Sequence, residues 1–123
     1  MILVDTSVWI DHFRSASAIL TELLGNGDVL GHPFVTGELA LGNLRQRSDI
    51  LRMLRRLPQA ASAAHSEVLE FVDRQALFGR GIGYVDAHLL AAARLTAGAK
   101  LWTRDRRLRA VATQLGLAAM LGH

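Results

Sequence analysis

The stretch Ile2-Leu3-Val4-Asp5-Thr6-Ser7-Val8-Trp9-Ile10-Asp11 decides the fold. Its first three residues are apolar and two are β-branched, which reads as a short buried strand, and Asp5 ends the run. A helix follows, with Trp9 and Phe13 four residues apart on one face. Further along, the same alternation recurs. Apolar runs mark strands at residues 29–30, 100–103 and 117–121, with a weaker one near 59–62. Between them lie helical periods. Residues 18–24 carry Ile19, Leu20, Leu23 and Leu24 on one side and stop at Gly25-Asn26-Gly27. From Ser48, read as an N-cap, Ile50, Met53, Leu54 and Leu57 recur at i, i+3, i+4 and i+7 up to Pro58. Helices are expected over 66–78 closed by Gly79, over 86–97 closed by Gly98, and over 106–115. Strands alternating with helices predict an α/β fold: one domain over residues 1–123, with a central parallel sheet flanked by helices on both faces.

The whole chain sets bounds on what that domain does. It has 123 residues, 50% of them hydrophobic, enough for one core. Cysteine is absent, which excludes disulfides, thiolate metal sites and cysteine nucleophiles. The first apolar run is broken by Asp5 and follows no basic segment, so it reads as neither a signal peptide nor a membrane span. A cytoplasmic protein with no membrane partner is expected. The net charge is +3, and all but one of the 14 basic residues are Arg, whose planar fork grips phosphate. An Arg- and Ala-rich composition also follows from genomic base composition, so charge alone does not identify the partner.

Four acids stand where this topology gathers side chains. Asp5 follows the first strand and Asp105 lies just beyond the one ending at Thr103, which puts both at the carboxyl edge of the sheet. Helices returning antiparallel place their first turns at the same edge, which brings in Asp86 and, from the helix after the second strand, Glu38. Each acid also has an ordinary structural role. Asp is a good N-cap, with Val85 and Leu90 placed as a hydrophobic staple if Asp86 caps, and Glu38 suits a solvated helix face. Capping does not explain the set, because carboxylates about 4 Å apart repel by about 4 kcal/mol per pair at an effective dielectric near ~20. A hard divalent cation offsets that repulsion. Mg²⁺ or Mn²⁺ prefers carboxylate and water oxygens, lowers the pKa of bound water and neutralises charge on a phosphate oxygen. Hydroxyls of Thr6, Ser7 and Thr103 flank the acids and suit the orientation of water or phosphate, besides ordinary turn chemistry.

The segments ILVDTSVWID, PFVTGELALG around Glu38, GYVDAHLLAAA around Asp86 and WTRDRRL around Asp105 together resemble a PIN domain, and more narrowly the VapC toxins of bacterial toxin–antitoxin pairs. The likeness runs over essentially the whole chain. It implies Mg²⁺- or Mn²⁺-dependent hydrolysis of RNA phosphodiesters by metal-activated water, leaving a 5′ phosphate and a 3′ hydroxyl. It also implies growth inhibition, restraint by a cognate VapB-like antitoxin, and a homodimer. The family's acidic positions map onto Asp5, Glu38, Asp86 and Asp105, as both metal ligands and catalytic residues, and its hydroxyl onto Thr103. Many relatives carry a further acid two residues after the last, where this chain has Arg107, so one firmly held metal is expected.

Substrate contacts are expected from Thr6, Ser7, Arg104 and Arg106, with Arg107 and Arg109 nearby and a second basic group at Arg45, Arg47, Arg52, Arg55 and Arg56. Solvated helix faces account for part of both groups. With two Trp and one Tyr, an extended base-stacking platform is not expected, and recognition is assigned to RNA shape. The glycine-rich Gly79-Arg80-Gly81-Ile82-Gly83 does not fit a dinucleotide fingerprint and reads as a loop. Two alternatives share the fold class: a catalytically silent RNA- or protein-binding module, and a receiver-type phosphoacceptor domain. The latter needs a Lys at the end of a late strand, whereas Lys100 begins one.

Overall fold

In the computed structural model, which describes residues 1–121, three parallel strands form the centre of the molecule. The elements are β1 (Ile2–Val4), α1 (Thr6–Arg14), α2 (Ala18–Gly25), β2 (Val29–Leu30), α3 (Pro33–Ala40), α4 (Arg47–Arg56), α5 (His65–Gln75), α6 (Tyr84–Leu95), β3 (Lys100–Trp102) and α7 (Arg106–Gln114). The strand order is β2-β1-β3, and Leu3 lies opposite both Leu30 and Leu101. Consecutive strand residues point to opposite faces. Leu3 and Val4 are both fully buried, as nearly are Val29 and Leu30, so both faces of the sheet are covered.

The strands expected at 59–62 and 117–121 contract to single parallel bridges, Gly31 with Gln59 and Leu101 with Ala118. Alanine-rich Gln59-Ala60-Ala61 and Leu117-Ala118-Ala119 lack the β-branched side chains that hold a longer ladder. Several helix ends also differ from expectation. Helix α4 starts at Arg47 behind a left-handed Gln46 rather than behind a Ser48 cap. Helix α5 stops at Gln75, because Leu77 is buried and its amide bonds back to Val72, turning the chain inward before Gly79. Helix α6 begins at Tyr84, which makes Asp86 the third residue of its first turn rather than the cap.

Trp9 is fully buried and stacks on Phe13 at 5.7 Å, anchoring α1 to the core. Helix α6 is enclosed by protein from Ala87 to Ala93. Its alanines permit close approach from every side, and α5 packs Val68 against Ala87 and Ala91. Only its two ends face outward, the last turn at Arg94 and Leu95 and the first turn, which carries Asp86.

Gly31 shows how tightly the β2 margin is built. Its amide donates to Pro58 O at 2.8 Å and its carbonyl accepts from Ala60 N at 2.9 Å. An added Cβ would lie 2.6 Å from Gln59 Nε2 and 3.2 Å from Leu54 O. Gly31→Ala gains about 0.4–1 kcal/mol from a less flexible unfolded chain and loses about 1–3 kcal/mol to overpacking. The net expectation is a lower urea midpoint at unchanged slope; a midpoint equal to wild type would show that the bridge yields freely.

Candidate active site

Asp5 is held in place by the sheet. Its amide continues the ladder by donating to Trp102 O at 2.9 Å, and the residue is only 6% exposed. Its backbone occupies the N-cap position of α1, yet the side chain makes no capping bond. Instead Oδ2 accepts two hydroxyls, Ser7 Oγ at 2.7 Å and Thr103 Oγ1 at 2.7 Å. Thr103 Oγ1 in turn accepts the Asp105 amide at 3.1 Å, so one buried hydroxyl ties the first acid to the last.

The other three acids each engage one oxygen locally. Asp105 caps α7, with Oδ1 accepting from Leu108 N at 2.9 Å. Asp86 Oδ2 accepts from Gly83 N at 3.0 Å, the reciprocal half of a capping box. Glu38 Oε1 accepts from Thr6 Oγ1 at 2.6 Å, joining α3 to the start of α1. Asp86 and Asp105 thus keep capping bonds, and each of these three carboxylates commits one oxygen to a hydrogen-bond donor. Among the described residues no three acids or histidines form a compact coordination group. The acids are linked instead through the charge that Asp5, Asp105 and Glu38 each exert on Asp86.

That the four acids share one field is visible at Asp86. Burial pushes its pKa upward, the Gly83 amide opposes this, and the charges of Asp5, Asp105 and Glu38 each push it further up. None of the four has a cationic partner; the ion pairs among the described residues are Arg52–Asp49, Arg74–Glu70 and Arg104–Asp11.

The last of these pairs bears on the residues expected to meet substrate. Arg104, assigned to substrate, has its Nε on Asp11 Oδ2 at 2.8 Å. Thr6 and Ser7 hydroxyls donate to Glu38 and Asp5, which makes them supports of the acids. Ser7 Oγ also accepts the Arg104 amide at 3.1 Å. Arg106 is exposed on the first turn of α7. The fold gives four further arginines their contacts. Arg107 lies over Gly81 in the loop before α6, Arg109 reaches Thr103 O at 3.5 Å, and Arg14 and Arg45 line a cleft of about 900 Å³ together with Glu38. Arg45, Arg107 and Arg109 were already named among the basic groups, whereas Arg14 was not, and its signal is the helical period of α1, which puts it one turn beyond Asp11 and Ile10.

The PIN-domain profile matches residues 2–114, a span that includes all four acids and Thr103. The chain belongs to the PIN-domain family. Ribonuclease VapC32 of Mycobacterium tuberculosis, in strains CDC 1551 / Oshkosh and ATCC 25618 / H37Rv, is 52% identical to this PIN domain over 118 residues, covering 96% of this chain and 95% of the relative. The likeness thus extends across both ends of the site.

Two substitutions probe it. Thr103→Val keeps the shape but takes a donor from buried Asp5 and an acceptor from the Asp105 amide. A stability loss of about 1.5–3 kcal/mol is expected by thermal unfolding; an unchanged melting temperature would show that water replaces the hydroxyl. Asp86→Asn keeps an acceptor for Gly83 and removes one repelling charge. A carboxyl whose pKa rises on folding destabilises the fold above that raised value, and the penalty vanishes below the unfolded value of about 3.9. In EDTA at pH 7 the Asn variant should therefore melt higher than wild type, with the difference closing on acidification. A lower melting temperature at both pH values would assign Asp86 to capping alone.

Proposed function

We propose that this protein is a metal-dependent endoribonuclease and the toxin of a toxin–antitoxin pair, with Asp5, Glu38, Asp86 and Asp105 as the metal-holding, catalytic acids. The observation that carries the reading is Asp5: a carboxylate nearly removed from water, supported by hydroxyls, without a cation, and sharing the field of three more carboxylates. An arrangement of that kind attracts a positive charge supplied from outside the chain. The donors are carboxylate and hydroxyl oxygens. His32, the nearly enclosed imidazole at the start of α3, is held neutral, its pKa pushed down to about 4 by burial and then by His88. Hard oxygen donors of this sort suit Mg²⁺ or Mn²⁺.

When bound there, such an ion activates water and offsets charge on a phosphodiester under attack. The chain's own residues prepare the ground. Thr103 and Ser7 fix one oxygen of Asp5, Thr6 fixes one oxygen of Glu38, and the caps fix one each of Asp86 and Asp105. Every acid retains a second oxygen for the ion, in an orientation set before substrate arrives. Hydrolysis then leaves a 5′ phosphate and a 3′ hydroxyl. Phosphates flanking the cut meet Arg106 and the arginines of the cleft beside Glu38, since Arg104 is engaged by Asp11.

The name Ribonuclease VapC32 supports RNA as substrate and a VapB-like antitoxin as partner. A homodimer in the cytoplasm completes the reading. No helix among the described residues is long and apolar enough to cross a membrane. A receiver domain is disfavoured because Lys100 stands at the first position of β3 and donates Nζ to Gly116 O at 2.7 Å, at the end of the sheet away from the acids.

The test is cleavage of labelled RNA by the purified chain. Cutting is expected with Mg²⁺ or Mn²⁺, none in EDTA, and a loss of at least roughly a hundredfold in Asp5→Ala. Induction of the wild-type chain in a bacterium should arrest growth, and induction of Asp5→Ala should not. Equal toxicity of the two, or cutting that survives EDTA, would refute the reading.

A further inference from the structure

Five rings from three helix starts form one contiguous cluster of edge-on and tilted contacts. His32 meets Phe34 edge-on with centroids 5.3 Å apart, and Phe34 packs on His88 at 4.5 Å. His88 meets Tyr84 at 4.6 Å, and Tyr84 meets His65 at 5.5 Å, where the phenol oxygen and His65 Nδ1 are 2.5 Å apart. The imidazoles of His32 and His88 are buried, whereas Phe34 is 38% and Tyr84 45% exposed. Buried imidazoles thus brace exposed aromatic faces. His32 is itself fixed: its Nδ1 accepts the Phe34 amide at 3.0 Å, and its Nε2 is buried without a hydrogen-bond partner, with Phe34 and His88 as its ring neighbours.

The position of the cluster ties it to the site. Phe34 lies one turn before Glu38 on the same face of α3, about 5–6 Å away at Cβ. Tyr84 and His88, four apart on α6, share a face of that helix other than the one carrying Asp86, so the tie to the acids runs through Phe34, on which His88 packs. A phosphate held at Glu38 therefore has the half-exposed ring of Phe34 one helical turn away, with Tyr84 beyond it across His88. Two Trp and one Tyr gave no expectation of a stacking surface, but the fold adds Phe34 and three imidazoles to Tyr84.

We infer that Phe34 and Tyr84, braced by His32, His65 and His88, form a stacking site for the nucleobase next to the phosphate that is cut. The inference rests on the ribonuclease reading and deepens it. A base fits because it is planar with a π-face on each side, and the exposed rings offer the matching surface. Stacking of this kind is worth roughly 5- to 150-fold in affinity per base. It selects for the presence of a base more than for its identity, while the polar edges of Tyr84 and His65 add hydrogen-bond preference.

The test uses the whole chain and short RNAs in which the nucleotide on either side of the cut is made abasic. Wild type should lose roughly 5- to 150-fold in kcat/KM on one of the two abasic RNAs. Phe34→Leu and Tyr84→Leu should lose comparably on intact RNA and be indifferent to the missing base, while Tyr84→Phe, which keeps the ring, should behave like wild type. A cleavage-independent arm places 2-aminopurine at the same position in EDTA: wild type should quench its fluorescence and the leucine variants should not. Cleavage with the same abasic penalty in wild type and leucine variants, or no quenching by wild type, would overturn the stacking site. So would a leucine variant that alters only the sedimentation of the protein, which would make the patch a contact between copies. Quenching without cleavage would instead retire the ribonuclease reading and leave the base site standing.

Discussion

Four carboxylates gathered at one end of a parallel sheet repel one another, and much of the local architecture manages that repulsion. Asp5 cannot swing away, because its backbone belongs to the sheet ladder and its side chain is enclosed. The Ser7 and Thr103 hydroxyls disperse its charge without neutralising it, which lowers the local cost while leaving the site negative. Thr103 matters beyond its size, since the oxygen that donates to Asp5 also receives the Asp105 amide. Charges at opposite ends of the sequence are thereby fixed to a common buried point. A salt bridge at Asp5 would have stabilised the fold more simply and left nothing to attract a cation.

Enclosure of α6 is the second constraint. A helix covered from Ala87 to Ala93 cannot turn or slide without repacking the core, so its exposed first turn presents Asp86 and Tyr84 in fixed orientation. Preorganisation of this kind depends on alanine. Larger side chains would hold α5 away, and a polar face would let the helix drift outward. Small residues in the core thus serve the geometry of the rim.

The acids were legible in the sequence because each falls at a boundary between an apolar run and a helical period, and parallel topology sends such boundaries to one end. The shared face of Trp9 and Phe13 on α1 and the glycine-rich loop before α6 were legible for similar local reasons. What could not be read depends on which elements become neighbours. The Arg104–Asp11 pair joins residues far apart in the chain, and no period predicts it. Asp86 shifted from cap to third helical residue because Gly83, not Asp86, takes the extended backbone of the N-cap. Residues 59–62 and 117–121 contained apolar residues enough for strands but too few β-branched ones to extend a ladder. The cluster of imidazoles and aromatic rings was hidden most completely, since histidines without metal spacing carry no signal until α3, α5 and α6 begin side by side.

The bond between Thr103 and Asp5 spans 98 positions of the chain. Together with the pairing of β1 to β3, it closes a loop that includes nearly everything else, and contacts of such long range form late and slowly. During synthesis the first acid therefore emerges 98 positions ahead of the hydroxyl that completes its surroundings. A nascent chain that has not reached Thr103 carries no assembled centre. Assembly of the site is thus timed by topology alone.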